Sequence, residues 1–408
     1  GNALFHLTDP RGASDKSGRT FNNPYQYFFE QMHMDDAIYA DESIYEYPMQ
    51  QGGGNDGRPY SFGRPSSGGS KAAYPCKSYG QGRINPAYFY GVFDPNDMRR
   101  DVSITMTGSN GKGVEKLIPF VPNSKAEGGG LTLNKWDENR QANPWVAAQR
   151  KSGINGPYMR MSEVYLGYAE VCAALGDVVT GKQYLKTVRE RSFPQGLANT
   201  DAFIASFGND LVRAIIEERG FEYAGEGDRR WTLIRSGYLP EDIKRIKDMT
   251  KAMMDGLATK GYYEFENGNI ISAYIWTKLV DAKTIYGHRL TAQCPTDKVN
   301  DPVLYPGWRG QKDNWEEMGL NYGSSTPATN LAIKGLFEIV SEEEAASLES
   351  QGYTKVNWGI DLVDNRDEYD KYLFWDYDYV SAPIYLWPFT PNVMAAGGFT
   401  NGYGFKQE

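Results

Sequence analysis

The chain has 408 residues, with 43 Lys and Arg against 52 Asp and Glu and a formal net charge of −9, so it lacks the basic surplus on which nucleic-acid binding draws. Its apolar runs, such as Ile270 to Trp276, fall far short of the ~20 residues needed to cross a bilayer. Aromatic residues make up 14%, too many for a disordered chain, while 45 Gly and 21 Pro point to long ordered loops.

Residues 1–155 read as a loop-rich segment with short strands, punctuated by Gly52-Gly53-Gly54, Ser66-Ser67-Gly68-Gly69-Ser70 and Gly128-Gly129-Gly130. Within it, Ser43-Ile44-Tyr45-Glu46-Tyr47 alternates as a strand does. Gly108 to Gly113 has the glycines and lysine of a phosphate loop but no Ser or Thr after Lys112, and it reads as a hairpin tip. From 156 to 258 the period becomes helical. Met161, Val164, Tyr168, Val171, Cys172 and Leu175 define the apolar side of one helix, with Pro157 in its first turn and Gly176 at its C-cap. Thr180 and Gln183 suggest a capping box for a second, completing a helical hairpin. Asn209 is the expected cap of a third helix, Asp228 to Ser236 forms a fourth ending at Gly237, and Glu241 to Leu257 a fifth. Residues 259–383 read as a long loop-rich insertion and 384–408 as a closing segment, all in one domain. The fold class is mainly α, with helical pairs of about TPR size, long irregular loops and a few short strands.

Chemistry-bearing motifs are sparse. The histidines are His6, His33 and His288, and His33 with Asp35, Asp36, Asp41 and Glu42 reads as a solvated helix start rather than a metal site. Cys76, Cys172 and Cys294 follow neither a disulfide framework nor a zinc pattern. The sequence assigns no catalytic residue, metal or cofactor. The block Glu217 to Trp231 alternates charges with aromatics, which draws charges inward and demands pairing. The expected pairs join Arg219 or Arg229 to Glu222 or Glu226 and lock two helices.

Three pieces carry a family resemblance in order. Tyr158-Met159-Arg160-Met161-Ser162-Glu163-Val164-Tyr165-Leu166-Gly167-Tyr168-Ala169-Glu170 precedes Val188-Arg189-Glu190-Arg191. Glu218-Arg219 then runs through Glu226-Gly227-Asp228-Arg229 to Trp231-Thr232-Leu233-Ile234-Arg235-Ser236-Gly237. Leu386-Trp387-Pro388-Phe389-Thr390-Pro391 and Gly402-Tyr403-Gly404 close the series. Together with Asp41 to Glu46, these resemble the SusD/RagB outer-membrane lipoproteins, with two departures: Thr232 stands at a usual Asp, and Phe389-Thr390 blurs the last motif.

The resemblance implies a SusD-like α-α superhelix. It implies non-catalytic binding of oligosaccharides or polysaccharides at the surface of a Gram-negative outer membrane, for delivery to a SusC-like TonB-dependent transporter. It also implies attachment through an N-terminal lipid anchor absent from this chain, which looks like the later part of a full-length member. The family motifs mark scaffold and transfer no ligand contact. Candidate glycan contacts are therefore Tyr286, Tyr305, Trp308, Trp315 and Tyr322, set among Gly307, Gly310, Gly319 and Gly323. Their rings suit the C–H faces of sugars, and Arg309, Gln311, Asp313 and Asn314 supply hydroxyl partners. Two rival functions stay open. One is a peptide-binding or structural TPR-like scaffold, the other a glycoside hydrolase built on two carboxylates.

Overall fold

The computed structural model describes residues 5–7, 23–31, 42–49, 61–65, 78–109, 115–121, 129–136, 153–281, 329–373, 385, 389–398 and 400. Ahead of the main helical run lie α1 (Pro24–Gln31), β1 (Ser43–Tyr47), a π-helical turn (Tyr88–Val92) and α2 (Arg99–Ser103). Short strands follow: β2 (Ile104–Thr105), β3 (Thr107–Ser109), β4 (Glu115–Leu117), β5 (Thr132–Leu133) and β6 (Gly156–Arg160). The run itself is α3 (Met161–Ala174), α4 (Val178–Arg191), α5 (Thr200–Ala205), α6 (Leu211–Glu222), α7 (Arg229–Ser236) and α8 (Leu239–Lys260). The fold is mainly α, as the periodicity predicts, and β3 pairs antiparallel with β4 on either side of the expected hairpin tip.

The helix ends correct several expectations. Pro157 lies in β6 opposite Glu46, not in a helical turn, because a two-stranded ribbon has edges where a missing N–H is tolerated. Gly176 does turn the chain after α3, with φ +86. The cap of α4 is Asp177, which accepts from Thr180 N at 3.1 Å, so Thr180 lies inside the first turn. Asp210, not Asn209, caps α6 and accepts from Arg213 N at 3.0 Å. The fourth helix runs as expected, from Asp228 at its N-cap to Gly237 in the left-handed conformation. Helix α8 is longer at both ends and takes Pro240 into its first turn, where no N–H is needed.

The apolar side read for α3 is only partly the core side. Leu166 and Ala169 are buried in a cluster with Leu185, Val188, Ala214 and Ile215 of α4 and α6, and Cys172 is buried as well. The other row, Val164, Tyr168, Val171 and Leu175, faces solvent, and Val178 and Val179 at the head of α4 extend it. Leu175 is 82% and Val179 83% exposed. A helix apolar on two sides gives a period-3.6 signal without revealing which row is covered.

Residues 259–383, expected as loop-rich, contain regular structure: β7 (Tyr262–Glu264), β8 (Ile270–Ser272), β9 (Tyr274–Asp281), β10 (Thr329–Lys334), α9 (Glu342–Ser350), β11 (Thr354–Asn357), α10 (Gly359–Asp364) and α11 (Arg366–Leu373). A last helix, α12 (Pro391–Gly397), lies in the closing segment. Strand β9 is central to an antiparallel sheet ordered β10-β9-β11. Its Ile275 enters the largest core among the described residues, with Phe89, Phe93, Phe120, Leu257 and Trp358, and Trp358 Nε1 donates to Tyr90 Oη at 2.8 Å. Both faces of β9 pack: Trp276 is buried with Tyr353 on the other side. In the closing segment, Tyr385 packs on Ile216, Leu233 and Leu239.

Candidate functional site

The charge-rich block of α6 sits inside a buried ion cluster assembled from six parts of the chain. Glu218 accepts from Arg99 Nη1 at 2.6 Å and from Arg189 Nη1 at 2.9 Å. Glu222 accepts from Arg160, from Arg191 Nη2 at 2.7 Å and from Arg99 Nη1 at 3.1 Å. Glu226 is gripped by Arg160, whose Nη2 lies 2.9 Å from Oε1, and by Lys135 Nζ at 2.6 Å. Glu42, one residue before β1, pairs with Arg191 and with Arg160 Nη1 at 3.2 Å, and Asp97 holds Arg99 at 2.7 Å. Positive and negative members balance, and aromatic rings close over the cations: Arg160 lies 4.6 Å from the centre of Tyr223, and Arg99 lies 5.6 Å from that of Phe221.

The cluster is built to hold structure and is poorly suited to move protons. Burial pushes the Glu222 carboxyl up, but Arg160, Arg191 and Arg99 outweigh it and hold the group well below the usual carboxylate range. Glu226 is lowered in the same way, with burial opposed by Arg160 and Lys135. A general acid for glycoside cleavage needs a raised carboxyl, the opposite condition. Lys135, desolvated, is pushed down to about 8, against the pull of Glu226.

The pairs expected within the block do not form. Arg219 instead donates to Glu163 of α3 and to Asp228, each at 2.8 Å, and Arg229 reaches Glu217 at 2.9 Å and Asp242 at 3.0 Å. Glu222 and Glu226 are claimed by cations far away in sequence, which local spacing cannot reveal. The block does lock helices together as expected, joining α6 to α3, α7 and α8. Thr232 fits this role, since its hydroxyl accepts from Arg219 Nε at 3.2 Å and donates to Asp228 at 2.8 Å.

Tyr286, Tyr305, Trp308, Trp315 and Tyr322 lie outside the described residues, as do His33, His288, Cys76 and Cys294. The segment carrying those five aromatics joins Asp281 to Thr329, which are directly paired across β9 and β10. Asp281 and Thr329 are thus neighbours at the end of the β9–β10 ladder. A groove of about 620 Å³ beside α4 is lined by charged side chains such as Lys182, Lys186, Glu190 and Asp201. Among the described residues no aromatic side chain lines it, so these residues offer a sugar no ring to stack on.

Exposed aromatics do gather on the β1–β6 ribbon, which sequence reasoning left unassigned. Tyr45 is 59%, Tyr47 56% and Tyr158 72% exposed. The Tyr45 and Tyr158 rings meet edge to face, with centres 5.7 Å apart and planes at 86°. The signal was present in part: alternation placed Tyr45 and Tyr47 on one face, but Tyr158 was read as part of the run into a helix, not as their cross-strand neighbour.

Against known proteins, the model of the SusD family matches residues 8–388. A SusD-like protein, P25, from Formosa agariphila is 28% identical over 160 residues, covering 39% of this chain and 26% of that protein. Among solved structures, a SusD homolog from Bacteroides thetaiotaomicron is 18% identical with a TM-score of 0.37, covering 57% of this chain and 49% of the other. Surface glycan-binding protein A from the same organism, in complex with laminarihexaose, is 17% identical with a TM-score of 0.36, covering 53% and 47%. The chain thus spans about half the length of these solved relatives and about a quarter of the curated one.

Proposed function

We propose that this chain, which belongs to the SusD family, serves as a non-catalytic glycan-binding component of an outer-membrane uptake system that passes oligosaccharide to a SusC-like TonB-dependent transporter. The match of the family model across residues 8–388 carries the reading. The ion cluster itself belongs to the scaffold, since its carboxylates are committed to guanidinium and ammonium partners. Trp308, Trp315, Tyr286, Tyr305 and Tyr322 remain the proposed contacts within the 282–328 segment. Among the described residues no helix is long and apolar enough to cross a membrane, and a lipid anchor is part of the proposed function.

The exposed row on α3 and α4 favours a protein partner as well. Six apolar side chains from Val164 to Val179 in solvent form the kind of patch that marks docking surfaces. In this reading the transporter covers it. That absorbs the TPR-like scaffold reading into the uptake function. The test is co-purification of the tagged protein with its transporter from detergent-solubilised outer membranes. Recovery of a TonB-dependent porter, lost on Leu175→Glu with Val179→Glu, is the expected result; recovery unchanged by those substitutions would remove the row from the interface, and absence of any porter would overturn the partnership.

A further inference from the structure

We propose that the tyrosine face of the β1–β6 ribbon is a stacking platform for uncharged oligosaccharide, distinct from the segment between β9 and β10; this rests on the glycan-binding reading above. Three side chains rich in apolar ring surface, each carrying a hydroxyl, stay in solvent on one small ribbon. An ordinary surface gains nothing by exposing them, whereas amphipathic rings of this kind present C–H-stacking faces together with hydrogen-bonding groups. The perpendicular planes of Tyr45 and Tyr158 make an angled seat, and Tyr47, two residues along the same strand, extends it by about 7 Å.

The platform is held rigid from both ends. The register slips on either side of Tyr45, a bulge of the kind that re-aims a side chain, and Tyr45 falls opposite Met159, next to Tyr158. Behind the ribbon, Arg160 ends β6 inside the buried ion cluster and binds Glu42, which precedes β1. At the other end Asn155 Nδ2 donates to Glu46 at 2.8 Å, and Asn155 Oδ1 accepts from Met49 N at 2.8 Å. Rings fixed before the ligand arrives lose little freedom on binding.

Charge selects the ligand class. The one cation on the two strands, Arg160, is 1% exposed and held by the carboxylates of Glu42, Glu222 and Glu226, the Ser162 hydroxyl and the Glu222 carbonyl. Among the described residues of the two strands, a uronate-bearing or sulfated polysaccharide finds no exposed counter-charge, on a chain already at −9.

Affinity electrophoresis tests this, using gels that contain laminarin, xyloglucan, galactomannan or amylopectin as neutral probes and alginate or polygalacturonate as acidic ones. The parent should be retarded by at least one neutral polymer and by neither acidic one. Tyr45→Ala with Tyr158→Ala should weaken that retardation at least tenfold while melting stays within about 2 °C of the parent. Tyr45→Phe, which keeps the ring, should retain most of it. Equal retardation of the double alanine variant would overturn the platform and leave glycan binding standing. Retardation by acidic polymers alone would overturn the assignment of an uncharged ligand. A parent that migrates freely in every gel would overturn the glycan-binding reading and the platform with it.

Discussion

Arg160, the last residue of β6, grips Glu226 with two prongs: Nη2 lies 2.9 Å from Oε1 and Nε lies 3.0 Å from Oε2. Glu226 stands in the turn after α6, and Arg160 stands at the threshold of α3. The pair therefore fixes where the helical hairpin begins relative to the helix on which it packs, and it fixes the aromatic ribbon to both.

Removing Arg160 should be among the most damaging single changes in the molecule. Arg160→Ala leaves Glu222 and Glu226 short of a counter-charge in a buried site, a loss on the order of 3–5 kcal/mol. Arg160→Lys should rescue little, because an ammonium lacks the fork that spans two carboxylates. Urea denaturation checks this through the midpoint, and a midpoint like the parent's for Arg160→Ala would contradict the buried cluster.

Arg219→Ala should cost less. Its partners Glu163 and Asp228 have side chains 37% and 21% exposed, so water takes over part of their solvation, and a loss of roughly 1–2 kcal/mol is expected. The same urea series ranks the two variants, and a larger loss for Arg219→Ala than for Arg160→Ala would reverse the account of which network bears the fold.

Stability should depend on pH in two windows. Glu222 and Glu226 titrate below their ordinary range when folded, so on acidification from about pH 5 the unfolded chain takes up protons first and stability falls. Lys135 sits at about 8 when folded against 10.5 ordinarily, so between those values the unfolded chain again binds more protons and stability rises with pH. Above about pH 10 the buried Tyr25 and Tyr223, kept protonated chiefly by burial, oppose that rise. Lys135→Met should flatten the slope of melting temperature against pH between 8 and about 9.5. Parallel slopes for parent and variant would show that Lys135 does not titrate in that window.

The helices were legible because their apolar spacing and terminal residues act locally: Gly237 ends α7 where the sequence places it, and Asp228 begins it. Charge pairing was legible only as a need. The identity of Arg160, Arg191 and Arg99 as partners of Glu222 depends on contacts across 31 to 123 positions, which no spacing rule reaches. Pro157 misled because the feature that suits a helix start also suits a ribbon edge. The aromatic face stayed hidden for a related reason, since Tyr45 and Tyr158 become neighbours only when β1 pairs with β6.

The segment between β9 and β10 carries a prediction of its own. Trp308→Ala or Trp315→Ala should weaken retention on an immobilised neutral polysaccharide at least tenfold, since a contact aromatic commonly contributes about 2 kcal/mol or more. Melting should hardly change. A drop in melting temperature with retention intact would identify both residues as anchors of the segment instead of sugar contacts.

The central claim is that the chain holds glycan without cleaving it. One binding assay reads both halves: the protein is left overnight on bead-bound laminarin, xyloglucan, galactomannan and amylopectin, and each tube is assayed for retained protein and for new reducing ends in the liquid. Retention on at least one polymer with reducing ends no higher than in protein-free tubes is the result expected. Reducing ends that accumulate with time, or protein recovered unbound from every polymer, would contradict it.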